Sequence, residues 1–96
     1  MDTIEQVFAT IADRKAHPKE GSYTNKLLDM GEDEIVKKIG EESVEVILAA
    51  KSQGDERLIS ELADLTYHCL VLIAAHGLTP EDVAAELRRR HAPSGK

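Results

Sequence analysis

The residues of this chain best suited to chemistry are carboxylates: Glu41, Glu42 and Glu45 in one segment, and Glu61 and Asp64 in the next. On a helix, side chains three and four positions apart lie about 5–6 Å from each other at Cβ, so Glu45 neighbours both Glu41 and Glu42, and Asp64 neighbours Glu61. Like charges placed this way repel mildly in water and far more when desolvated. Several of them nevertheless interrupt apolar stripes. Glu42 lies on the seam of Ile35, Ile39, Val46 and Ala49, Glu61 falls between Leu58 and Leu65 at helical spacing, and Asp64 sits in a run up to Ala75 with few other charges. Crowded acids of this kind require a counter-charge. A hard divalent cation, Mg2+ or Mn2+, would provide it, because it takes oxygen ligands, at roughly 2.0–2.1 Å for Mg2+, and keeps positions for water and substrate phosphates.

A single Glu-x-x-Glu on a glutamate-rich surface helix would carry no information. Two acidic clusters on consecutive helices carry more. A carboxylate-bridged di-iron centre would want Glu-x-x-His from two helices, whereas Glu61 is followed by Asp64, and His68 comes one turn later. His68 is therefore read as a satisfied, partly buried histidine. Cys69, the sole cysteine, excludes an intramolecular disulfide and a cysteine-based zinc finger and reads as a small buried hydrophobe.

The elements that must position these acids are helical nearly throughout, which makes the fold class all-α. Asp2 or Thr3 caps a helix over about 3–15 that carries Ile4, Val7, Phe8 and Ile11 at helical spacing. His17-Pro18-Lys19-Glu20-Gly21 breaks it, and Ser22 caps a short helix through Leu27 and Leu28 that Gly31 closes. A long helix follows over about 32–52. Gly40 interrupts it at about 1 kcal/mol relative to alanine, which signals either a close approach to the backbone or simple tolerance. Asp55 can cap the next helix, which runs through Leu58, Leu62, Leu65, Cys69, Leu72 and Ile73 to about Ala75, with Gly77 beyond its end. It is the most apolar element and is expected to be central. Thr79-Pro80-Glu81-Asp82 starts a last helix to about His91, and 92–96 are expected to fray. The expected architecture is a helical bundle of four to five helices around a central antiparallel pair. A tight turn at Gly54 places Glu45 nine residues before it and Glu61 and Asp64 seven and ten after it. At about 1.5 Å rise per residue these acids fall at nearly the same height.

Ninety-six residues, 42% hydrophobic and 31% charged, suit one globular domain. A net charge of −6 argues against nucleic acid and anionic membrane as partners. The chain shows neither a run of about 20 uninterrupted apolar residues nor the basic-then-apolar start of a signal peptide, so a cytoplasmic protein is expected.

Lys37-Lys38-Ile39-Gly40-Glu41-Glu42-Ser43-Val44-Glu45 followed by Glu61-Leu62-Ala63-Asp64 resembles the acidic pattern of the all-α nucleoside triphosphate pyrophosphohydrolases. Within them, Ser22-Tyr23-Thr24-Asn25-Lys26-Leu27-Leu28 ahead of the acidic helix looks like the phosphoribosyl-ATP pyrophosphatases of histidine biosynthesis, and the likeness spans roughly residues 4–91. The resemblance implies Mg2+-dependent hydrolysis of phosphoribosyl-ATP to phosphoribosyl-AMP and pyrophosphate. It assigns Glu42, Glu45, Glu61 and Asp64 as metal ligands, with Glu41 as a further ligand or as the base that orients the water. Cleavage between phosphates needs charge neutralisation and an activated in-line water, which fits such a site. No Walker-type glycine loop is present. Lys26, Lys37 and Lys38 could meet substrate phosphates or simply pair with nearby acids. Ser22 and Tyr23 are drawn towards substrate by the family pattern and otherwise only cap their helix. Arg88-Arg89-Arg90 complements a helix C-terminus. The resemblance also implies a homodimer and, with Met1 directly before the first helix, the stand-alone form. Two other readings are a house-cleaning pyrophosphohydrolase of another nucleotide and a non-enzymatic acidic dimerisation module.

Overall fold

The computed structural model describes residues 2–91 as five α-helices: α1 Thr3–Ala16, α2 Tyr23–Met30, α3 Glu32–Ser52, α4 Asp55–Ala75 and α5 Pro80–Arg90. The expected frayed tail, 92–96, lies outside the described residues.

Local chemistry sets the boundaries. The Asp2 carboxylate accepts the Glu5 N–H at 2.8 Å to start α1, and Ser22 Oγ accepts the Asn25 N–H at 3.2 Å to start α2. Gly54, at φ 84°, turns α3 back into α4. It also takes the N-cap position expected of Asp55, which instead lies in the first helical turn, where its charge suits the helix dipole. α4 closes in a Schellman arrangement: Gly77 N–H donates to the Ala74 carbonyl and Leu78 N–H to that of Ile73, both at 3.0 Å. Asp82 Oδ2 accepts the Thr79 N–H at 2.8 Å at the start of α5.

The most extensive contact is the antiparallel α3–α4 pair, and α4 also packs on α1 and α2. The core joins Ile11, Leu27, Ile35, Leu70, Val71 and Ala74, with Val7, Phe8 and Ile39 packed against it. α4 is long and apolar enough, by length and composition, to cross a membrane. Here it is the helix on which the three preceding ones pack. Its inward row is Glu61, His68, Val71 and Ala74, while Leu62, expected within the apolar run, is exposed. A helix apolar on most sides does not announce which row faces in. Gly40 has nothing within 4 Å of a built Cβ, so tolerance, not a close approach, accounts for it.

Candidate metal centre

The hairpin brings acids from both helices together. Glu42 on α3 and Glu61 and Asp64 on α4 each offer a carboxylate oxygen, and these oxygens lie within 4.8 Å of one another. Glu42 is half-buried and Asp64 exposed, while Glu61 is only 3% exposed. Among the described residues, Glu61 Oε2 is the one buried side-chain oxygen or nitrogen without a hydrogen-bond partner. Such an atom is costly unless something outside the protein completes it.

Glu45, the remaining expected ligand, lies alongside Glu61. The Glu45 carboxyl beside it, and then its own burial, push Glu61 up to about 7, against the pull of the Arg57 guanidinium. Arg57 Nη2 stands 3.9 Å from Glu45 Oε2 and 3.7 Å from Glu61 Oε2. Glu41 does not join the cluster. Its carboxylate is exposed and lies 3.7 Å from Lys38 Nζ, because a step of one residue turns it about 100° round the helix from Glu42.

The wall behind the acids is aromatic. His68 is buried on α4, and its Nδ1 lies 2.8 Å from the Asp64 carbonyl. A carbonyl only accepts, so Nδ1 carries the proton and Nε2 accepts from the Tyr23 hydroxyl at 3.3 Å. This is the satisfied histidine expected. Tyr67 packs edge-on to His68, with ring centroids 5.3 Å apart, and its hydroxyl is bonded to that of Thr24. The Ser22-Tyr23-Thr24 segment is thus bolted to α4 one turn beyond Asp64.

Ser22 caps α2, and Asn25 holds the preceding loop by accepting from Lys19 N–H and donating to the Arg14 carbonyl. Tyr23, Lys26 and Lys38 line a cleft of about 120 Å³ between α2 and α3, which Lys37 does not line. Arg88, Arg89 and Arg90 are engaged by Glu81 and Glu86 of their own helix.

Arg57, Thr24 and Tyr67 are parts of this arrangement that sequence reasoning missed. Arg57 had a signal, since it stands four residues before Glu61 on one helix face. Thr24 had one in the Ser22-Tyr23-Thr24 segment of the family pattern, while Tyr67 had none, because its partner lies on another helix.

The donor set, all carboxylate oxygen with one buried oxygen left bare, fits a hard divalent cation and offers neither the nitrogen nor the thiolate that softer metals prefer.

A sequence profile of the phosphoribosyl-ATP pyrophosphohydrolase family matches residues 4–91. The chain is 54% identical over 89 residues to a phosphoribosyl-ATP pyrophosphatase of Pelotomaculum thermopropionicum, covering 93% of this chain and 91% of that protein. It is 52% identical over 89 residues to one from Sulfurisphaera tokodaii, covering 93% of this chain and 95% of that protein. The histidine biosynthesis bifunctional protein HisIE of Oceanobacillus iheyensis shares 50% identity over 91 residues, which is 95% of this chain and 42% of the longer protein.

Proposed function

The chain belongs to the phosphoribosyl-ATP pyrophosphohydrolase family, and from that premise we propose that it hydrolyses phosphoribosyl-ATP to phosphoribosyl-AMP and pyrophosphate, the second step of histidine biosynthesis, with Mg2+ as cofactor. The observation that carries the assignment of the site is the buried, unpartnered Glu61 Oε2 among converging acids.

Glu42, Glu61 and Asp64 would hold the cation, with Glu45 completing the set. Bound there, a divalent ion neutralises charge on the phosphate chain and makes a water more acidic. Glu45 is half exposed, and its carboxylate would take a proton from a water approaching the scissile anhydride. Glu41 faces outward and has the weaker claim to that role. Lys26 and Lys38 line the α2–α3 cleft, where they would meet phosphates. Tyr23 stands at the same cleft with its hydroxyl oriented by His68. Lys37 is left as a solvated lysine.

The outer side of the hairpin exposes Val44, Ile47 and Leu48 of α3 and Ile59 and Leu62 of α4, Ile47 and Ile59 by 60% and 67%. Exposed apolar surface of this kind marks an interface, and it supports a homodimer. Sedimentation analysis of wild type and Ile47→Glu checks this, with a dimer expected for the first and monomer for the second.

Pyrophosphate release from a panel of nucleotides with and without Mg2+ tests the activity. The highest kcat/KM is expected for phosphoribosyl-ATP, with none after chelation. Preference for an ordinary nucleoside triphosphate would overturn the substrate, and turnover in chelator would overturn the cofactor.

A further inference from the structure

We infer that Arg57 is the built-in counter-ion of the carboxylate pocket, and that a divalent cation loads by displacing its guanidinium from Glu45 and Glu61. This rests on the cation reading above.

Among the described residues, Arg57 is the one cation with ion pairs to the pocket acids, since Lys38 turns to Glu41. Its Nη2 touches both helices' carboxylates across the hairpin, at 3.9 Å and 3.7 Å. Those distances are ion pairs and not hydrogen bonds; an arginine clamped on a carboxylate sits at about 2.7–2.9 Å. The looseness is informative. Glu61 Oε2 remains without a hydrogen bond although a guanidinium is next to it, so space between them is left for a smaller, closer charge. The stand-in approaches from the open side, with its side chain 54% exposed. It stems from the first turn of α4, four residues before Glu61, so it can swing into water without any backbone movement. A guanidinium stays protonated throughout the working pH range, which makes it a permanent competitor.

The pocket is therefore not left with bare repelling acids when it holds no cation. Loading exchanges one positive charge for another, and the affinity for the ion is set below what the same acids would show alone.

The test is Mn2+ binding to the full-length protein, read from the electron paramagnetic resonance of free Mn2+, for wild type, Arg57→Gln and Arg57→Lys. Two loose ion pairs made by an exposed guanidinium correspond to about three- to tenfold tighter binding for Arg57→Gln. Arg57→Lys, which restores the charge, should return close to wild type, and the gap should narrow as ionic strength rises. A variant that merely loosened the hairpin would bind Mn2+ more weakly, so the sign separates the two roles. Equal or weaker binding by Arg57→Gln, with Mn2+ still bound by all three proteins, overturns the role of Arg57 alone. Absence of Mn2+ binding in all three would overturn the cation reading, and this inference with it.

Discussion

On α5, Glu86 accepts from Arg89 and Arg90, three and four residues on, and these bonds hold its carboxyl below the usual range. Between α3 and α4, Glu61 is pushed the opposite way, to about 7, by the carboxyl of Glu45 and by its own burial. Both are helical glutamates within reach of arginine. The difference lies in where the partners come from. On α5 Glu81 and Glu86 are served by arginines of their own helix, at its own surface. In the hairpin the acids arrive from two helices and converge on the buried Glu61, where no pattern along one helix can serve them all, and Arg57 reaches only from outside. A count of acidic residues therefore does not mark a site; acids whose compensation is incomplete do.

The largest expected effect tests that distinction at its centre. Glu61→Gln, which keeps the shape and removes the charge, should lower kcat/KM for pyrophosphate release by at least about 100-fold, because the ion and the charge it neutralises are lost together. Its metal-free thermal midpoint at alkaline pH should be equal to or above wild type, since a buried ionised group is replaced by a neutral one. Activity within several-fold of wild type would erase the contrast with α5.

The pH dependence comes next. Glu61 titrates near 7 in the folded protein against 4.5 for an ordinary glutamate, so between those values the folded state binds more protons than the unfolded chain. The contribution of Glu61 to metal-free stability is therefore greatest below 4.5 and declines as pH rises towards 7. Ion binding runs the other way, because it needs the carboxylate. Mn2+ affinity should climb by up to about tenfold per pH unit below 7 and level off above it, and should flatten in Glu61→Gln. Scanning calorimetry without metal and calorimetric Mn2+ titration, each across that range, measure the two slopes.

Much of this arrangement was legible beforehand. Capping and breaking residues, Ser22, Gly31, Gly54, Gly77 and Thr79-Pro80, mark the helix boundaries through local chemistry, and the turn at Gly54 sets Glu45, Glu61 and Asp64 level. Rotation about each helix axis was harder to read. Spacing pairs Glu45 with Glu41 as readily as with Glu42; the seam of Ile35, Ile39, Val46 and Ala49 already turned Glu42 inward, and the packing of α3 on α4 adds that Glu41 faces the solvent. The same ambiguity hid the outward face of Leu62. The Tyr23–His68 and Thr24–Tyr67 bonds join residues more than forty positions apart, which no local pattern encodes.

Those bonds supply a smaller test. Tyr23→Phe removes the hydroxyl that donates to His68 and keeps the ring packing. A single neutral hydrogen bond corresponds to about two- to tenfold, expected here in KM for phosphoribosyl-ATP with Mn2+ affinity unchanged. A fall in Mn2+ affinity would mean that the aromatic wall shapes the acid pocket itself, and the two regions would no longer be separable.

The smallest effect is expected where the acids are fully served. Glu86→Gln should leave turnover within about twofold of wild type, because exposed ion pairs contribute little and are screened by salt. Its trace should appear only on the acid side. A carboxyl held below its usual range stabilises the fold above the unfolded value and loses that contribution as pH falls through the folded one, so wild type and Glu86→Gln should differ slightly near neutrality and converge in acid. Glu61 slopes in the opposite sense over a different range. Melting curves of wild type, Glu86→Gln and Glu61→Gln from acid to neutral pH would separate the two slopes, and added salt should erase the first while leaving the buried one largely in place.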